Sequence, residues 1–290
     1  MRCNELLRMS RVSLAQTHRA ALAVGKVQAN FTAMRKRLAL ICFVAATAIA
    51  DDGIRSFPIP TIVALGKELY RRDHMTSTAF DALFAAYPKA QELPLRGWIT
   101  QADKENQRVY FIQERDAHYS LAYVATFRGD AAPAIEDSQG ATLPEFVAKR
   151  FLARRAAVAA IPKFMAESYN FEVLDAPDGK GFLVYGLAST KDPDEVVVGG
   201  HYRVTVSADG QVQQVDALSR SFLVLHRQSP DVPKGSGVVG LSMSHIVSNT
   251  PVETHVYVSL LHKIPLYVAT SDNVVWRVSD GEITKMDDKK

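Results

Sequence analysis

Apolar positions recur with two different periods along this chain, and the switch from one to the other happens twice. Over 60–87 the spacing is helical: Ile62, Leu65 and Leu69 share one face. Thr76 or Ser77 stands where a cap would start a second stretch through Phe80, Leu83 and Phe84, and Pro88 stops it. Over 95–127 the period becomes two, in Val109/Phe111 against Tyr110/Ile112 and in Leu121, Tyr123, Ala125 and Phe127, which predicts two or three antiparallel strands.

The segment 128–141 gathers Gly, Pro, Asp and Ser without periodicity and reads as a linker. A second helix is predicted directly after it. Thr142 and Glu145 have the spacing of a capping box, Phe146, Val147, Phe151 and Val158 form the apolar stripe, and Pro162 ends it. Beyond Tyr169 the chain predicts short strands. Phe171/Val173 and Phe182/Val184 flank Pro177-Asp178-Gly179, and Tyr202/Val204/Val206 meet Val212 across Asp209-Gly210, a strong hairpin signal. After a Pro/Gly-rich loop over 229–240, a last strand set is expected at 254–261, 266–270, 274–278 and 282–286.

The fold class expected is α+β: two helices, each packed on an antiparallel β-meander sheet, with a β-rich C-terminal half. The units are 51–130, helix plus antiparallel strands, and 142–290, helix plus β-meander. A helix followed by a meander resembles, in layout alone, the cystatin-like and PepSY-like modules of exported bacterial proteins. No motif of either family is present, and layout does not carry function.

Composition changes the picture mainly at the N-terminus. Arg35, Lys36 and Arg37 precede a run of 13 uncharged residues, 38–50, that closes on Ala48-Ile49-Ala50. A basic segment, a short apolar segment and a small-residue site are the parts of a secretory signal peptide, and the run is shorter than the roughly 20 residues a spanning helix needs. Residues 34–50 are therefore read as a signal peptide cleaved after Ala50. Residues 1–33 are read as an extension upstream of the true start or a disordered one. Removing 1–50 takes away eight Lys/Arg and one Asp/Glu, so that 26 basic face 30 acidic residues and the net charge moves from +3 to about −4. Nucleic-acid binding loses its electrostatic basis. Cys3 and Cys42 leave as well, and with them any disulfide, Cys-ligated zinc or Cys nucleophile. The address expected is periplasmic or secreted, in a Gram-negative-type bacterium, with no transmembrane span after cleavage.

Candidate chemistry is sparse. Seven histidines remain, with no HExxH or His-x-His spacing, so neither a metal nor another cofactor is expected. His201, His255 and His262 are the catalytic candidates. His201 and His255, each read as lying on a strand, are expected to share a polar sheet face with Arg203, Thr205, Tyr257 and Ser259, a face that also reads as plain solvent-facing strand. Gly240-Leu241-Ser242-Met243-Ser244 departs from the hydrolase elbow at its last position, and no His follows Asp272. The basic cluster Lys149, Arg150, Arg154 and Arg155 reads as the solvated back of the second helix.

The function expected is that of a non-catalytic periplasmic binding or interaction protein, of the inhibitor or immunity type in its sharpest form. Its partner would be a protein or cell-envelope component, met along the strand edge at 254–261. The alternative is a cell-envelope hydrolase using His and carboxylate groups on the C-terminal sheet.

Overall fold

A computed structural model describes residues 53–129, 131–227 and 238–286; the stretch 34–50 read as a signal peptide, the stretch 1–33 read as an extension and both cysteines lie outside these. Helix α1 (Ile59–Ala86) begins behind Pro58 with a second proline in its first turn, where a missing N–H costs nothing. It runs unbroken through Thr76, against the expected restart. Thr76 is buried, and its hydroxyl is spent on Thr100 and Glu172 rather than on a cap.

Strands β1 (Leu95–Ala102), β2 (Gln107–Arg115), β3 (His118–Thr126) and β4 (Ala134–Asp137) follow in spatial order as an antiparallel sheet. β4 occupies what the composition marked as linker: four residues pair with β3 at the sheet edge, too few for a visible period. Helix α2 (Glu145–Ala160) starts two residues later than a Thr142 capping box would set it. Pro144 takes the cap position without a side-chain bond, and Glu145 pairs with Lys149 at 2.6 Å.

Strands β5 (Ser168–Asp175), β6 (Gly181–Ser189), β8 (Tyr202–Ser207) and β9 (Val212–Ala217) make the second antiparallel sheet, while β7 (Glu195–Val197) pairs with β10 (Val224–His226) beside it. The last unit departs from the expected meander. β11 (Leu241–His245) runs parallel to β12 (Leu266–Thr270), and the connection between them is helix α3 (Glu253–His262), not a strand at 254–261. A parallel pair needs a crossover, and a helix supplies it. β13 (Val275–Ser279) and β14 (Glu282–Lys285) complete this sheet antiparallel. The described residues form three α-helices and four mostly antiparallel sheets, an α+β fold with a β-rich C-terminal half, and none of these helices is long and apolar enough to cross a membrane.

The core explains how the layers lie. Phe80 and Leu83 on α1 cover Trp98, Phe111 and Tyr123 on one face of the first sheet. On its other face Ile99, Tyr110 and Ile112 meet Phe151 of α2, which also covers Phe171, Val184 and Val204 of the second sheet. The opposite face of the second sheet, through Leu183 and Leu187, packs on Leu65 and Leu69 of α1 and Val256 of α3. α1 and α3 touch backbone to side chain at Gly66. A Cβ there would lie 2.5 Å from Val256 Cβ and 2.7 Å from the Glu253 carbonyl, so only glycine lets α3 settle onto α1.

Candidate functional site

The layer between the second sheet and α1/α3 is apolar at both ends and polar in the middle. Glu172, Tyr185, Arg203 and Asp216 stand opposite one another on β5, β6, β8 and β9, one from each strand, and form a single row across the sheet. None is more than 3% exposed. Arg203 donates from Nε and Nη2 to Asp216 Oδ2 at 3.1 and 2.7 Å, from Nη1 to Glu253 Oε1 at 2.5 Å, and from Nη2 to the Arg55 carbonyl. Phe57 lies over the guanidinium, its ring centroid 4.8 Å away. The segment before α1 thus closes one end of the row.

The other end is a seam where the edges of β1 and β5 lie side by side. Arg72 replaces the missing ladder by donating to the carbonyls of Thr100 at 2.6 Å and Val173 at 3.0 Å. Glu172 Oε1 accepts from Trp98 Nε1 at 2.9 Å and Thr76 Oγ1 at 3.0 Å. Burial nevertheless pushes the Glu172 carboxyl up to about 7, with the Asp73 charge adding to the rise. Tyr257, one turn after Glu253 on α3, donates to Asp73 Oδ2 at 3.1 Å; burial raises the Asp73 carboxyl and the Tyr257 phenol. Tyr185 Oη, Thr205 Oγ1 and Glu253 Oε2 are buried without a hydrogen-bond partner.

The histidine candidates divide. His201 at the foot of β8 and His255 in the first turn of α3 come together with His245 at the end of β11, and the His245 and His255 rings meet edge to face at 4.8 Å between centroids. His201 Nδ1 accepts from Ala188 N–H at 3.0 Å, His255 Nδ1 accepts from Val252 N–H at 3.1 Å, and His245 Nε2 lies 2.8 Å from Ser248 Oγ. Since Ser248 Oγ donates to the Thr250 carbonyl, His245 Nε2 is the donor in its pair. Burial lowers all three rings, His201 and His245 to about 4, so they are neutral. His262 lies two turns along α3 from His255, against Arg227 at 2.7 Å. Among the described residues no carboxylate hydrogen-bonds any of these rings, and no group of three or more His, Cys, Asp or Glu is arranged to hold a metal ion.

The face of His201, Arg203 and Thr205 is therefore not the solvent-facing half of a strand; α3 covers it. His255 and Tyr257 are not on a strand of that face: 253–262 is a helix lying across it, which brings His255 to His201 and Glu253 to Arg203. The row itself was missed. Its only trace in the sequence is one charged residue in the apolar run of each of three strands: Glu172, Arg203 and Asp216.

Other motifs are absorbed by structure. The elbow-like stretch is strand β11, with Ser242 exposed along it rather than perched on a turn. The α2 cluster is spent on packing: Arg150 holds Asp175 at 2.7 and 2.9 Å, Arg154 lies over Trp98 and Phe171, and Arg155 over Tyr119. Gly97, at φ 149°, leaves the space Arg154 fills.

One surface remains open. Among the described residues β11 pairs only with β12. Leu241 N–H donates inward to the Pro265 carbonyl, so alternation turns the N–H and C=O of Ser242 and Ser244 outward, where no described strand pairs with them. Val239 and Ile246, 88% and 59% exposed, flank the strand, which carries no formal charge. Of the other edges among the described residues, β4 bears Glu136 and Asp137, β14 bears Glu282 and Lys285, β9 bears the inward-pointing Asp216, and the β7–β10 pair is blunted by its length, three residues in each strand. No protein-family model, no curated protein and no solved structure matches this chain.

Proposed function

We propose that this is an exported, non-catalytic binding protein of the cell envelope that receives an extended segment of a partner protein along the free edge of β11. The observation that carries the reading is the contrast between edges: β4 and β14 bear exposed charges, β9 carries a buried one, the β7–β10 pair is only three residues long, and β11 bears no formal charge while offering two outward-facing backbone pairs between exposed apolar residues. The basic and apolar pattern over 34–50 supports export. The hydrolase alternative asks His201, His255 or His262 to act with a carboxylate; His201 and His255 are 2% and 1% exposed, and the half-buried His262 lies against Arg227.

A photo-crosslinking residue placed at position 246 tests the edge in living cells. Wild-type chain is expected to crosslink to a discrete partner, and Ser242→Pro, which deletes an outward N–H and no bond to β12, is expected to abolish the adduct with little change in melting temperature. An adduct that survives Ser242→Pro refutes edge docking. Intact mass of the native chain from the periplasmic fraction is expected to begin after Ala50; recovery from the cytosol with 34–50 attached refutes export.

A further inference from the structure

We infer that the His245–His255 contact is an acid-released latch that holds the C-terminal end of β11 against α3, so that the β11 edge is a fixed strand at neutral pH and comes free under mild acid. This rests on the docking reading above for its consequence, release of the partner, but not for its physics.

The geometry carries the argument. His245 is the last residue of β11, opposite Thr270 at the end of the ladder to β12, and its ring is what ties it to the layer above: edge to face on His255, and through Nε2 to Ser248 in the connection to α3. A proton on either ring faces another imidazole. The charged groups on the elements around the stack offer no relief. Glu253 of α3 is taken by Arg203 of β8, Asp216 of β9 is taken by the same guanidinium, β7 presents only the Val197 carbonyl to His201, α1 presents Gly66 to α3, β12 carries no charged residue, Arg277 of β13 is exposed, and His201 adds a third imidazole beside His255. Burial already lowers the rings. The strain is relieved locally because β11 is five residues long and paired on one side only, whereas β8 is held between β6 and β9. Release of β11 lets the charged rings reach water without breaking the second sheet.

Hydrogen exchange of the purified protein between pH 7.5 and 4.5, corrected for intrinsic rates, tests the latch without any partner. Peptides covering 241–252 are expected to lose protection at least tenfold below pH 6 while 107–126 keeps theirs. His245→Gln, whose amide can still donate to Ser248, is expected to hold 241–252 protected across that range. Imidazole resonances of the wild type provide a reading that needs no variant: His245 is expected to take up its proton over the same interval in which 241–252 opens. Equal loss in both regions, unchanged protection at pH 4.5, or loss that persists in His245→Gln overturns the latch. A latch that behaves as described beside an adduct insensitive to Ser242→Pro overturns the docking reading alone.

Discussion

Arg203 on β8 and Glu253 on α3 meet at 2.5 Å with both side chains withdrawn from solvent, and the same guanidinium holds Asp216 at 2.7 Å. One buried cation thus answers two buried carboxylates, and the sheet and the helix above it are joined through that cation. Replacing it by a neutral residue leaves two unpaired charges in the interior, whereas neutralising Glu253 leaves a balanced pair.

Arg203→Leu is therefore expected to destabilise the protein by about 3–5 kcal/mol, read as a shift in the urea unfolding midpoint. Glu253→Gln keeps an acceptor for Nη1 and is expected to cost about 1–2 kcal/mol or less. An Arg203→Leu chain as stable as Glu253→Gln would show that the ion group does not join the layers.

Glu172 sets a second expectation, through pH. Its folded carboxyl is raised to about 7 from an ordinary 4.5, so its contribution to stability is complete below about pH 4.5 and is lost as pH rises through 7. The lowered His201 and His245 act oppositely: theirs is complete above about 6.5 and is lost as pH falls toward 4. Glu172→Gln removes the first limb only. The stability of the variant relative to wild type is expected to climb by up to about 1.4 kcal/mol per pH unit between 4.5 and 7 and to level off above that. A difference that is flat with pH in denaturant titrations would contradict a protonated Glu172.

Much of this architecture was legible because burial on one side leaves a period in the sequence. Ile62, Leu65 and Leu69 announce α1, and Asp209-Gly210 announces the β8–β9 hairpin. α3 was illegible for the converse reason. Seven of its ten residues are buried, among them Thr254, Val256, Tyr257 and Val258, so no polar face marks the helical period and the β-branched residues read as strand. The polar row depended on that helix. Glu172 and Arg203 alternate with apolar neighbours just as solvent-facing residues do, and only the presence of α3 over them turns the face inward. The open β11 edge was illegible because it exists only once the parallel pairing with β12 is known.

The segment ahead of α1 yields the last expectation. Arg55 contributes its backbone to the row, its carbonyl accepting from Arg203 and its N–H lying 3.4 Å from Asp216 Oδ1. Its side chain meets Asp178 at 3.4 Å in a solvent-exposed pair and lies over the Phe57 ring, 5.0 Å from its centroid. Phe57, by contrast, places its ring 4.8 Å from the Arg203 guanidinium and roofs the ion group against water. The two residues should therefore respond to substitution in opposite proportion to their charge. Phe57→Ala removes apolar cover and the cation–π contact together and is expected to cost about 1–3 kcal/mol; Phe57→Leu keeps the cover and is expected to lose about 0.5–2 kcal/mol. Arg55→Ala leaves the backbone contacts in place and is expected to fall within about 0–1 kcal/mol. Unfolding midpoints of the three variants in one buffer check the ranking. If Arg55→Ala proves the most damaging, the segment is held by its surface charge, and the row closes on β9 without it.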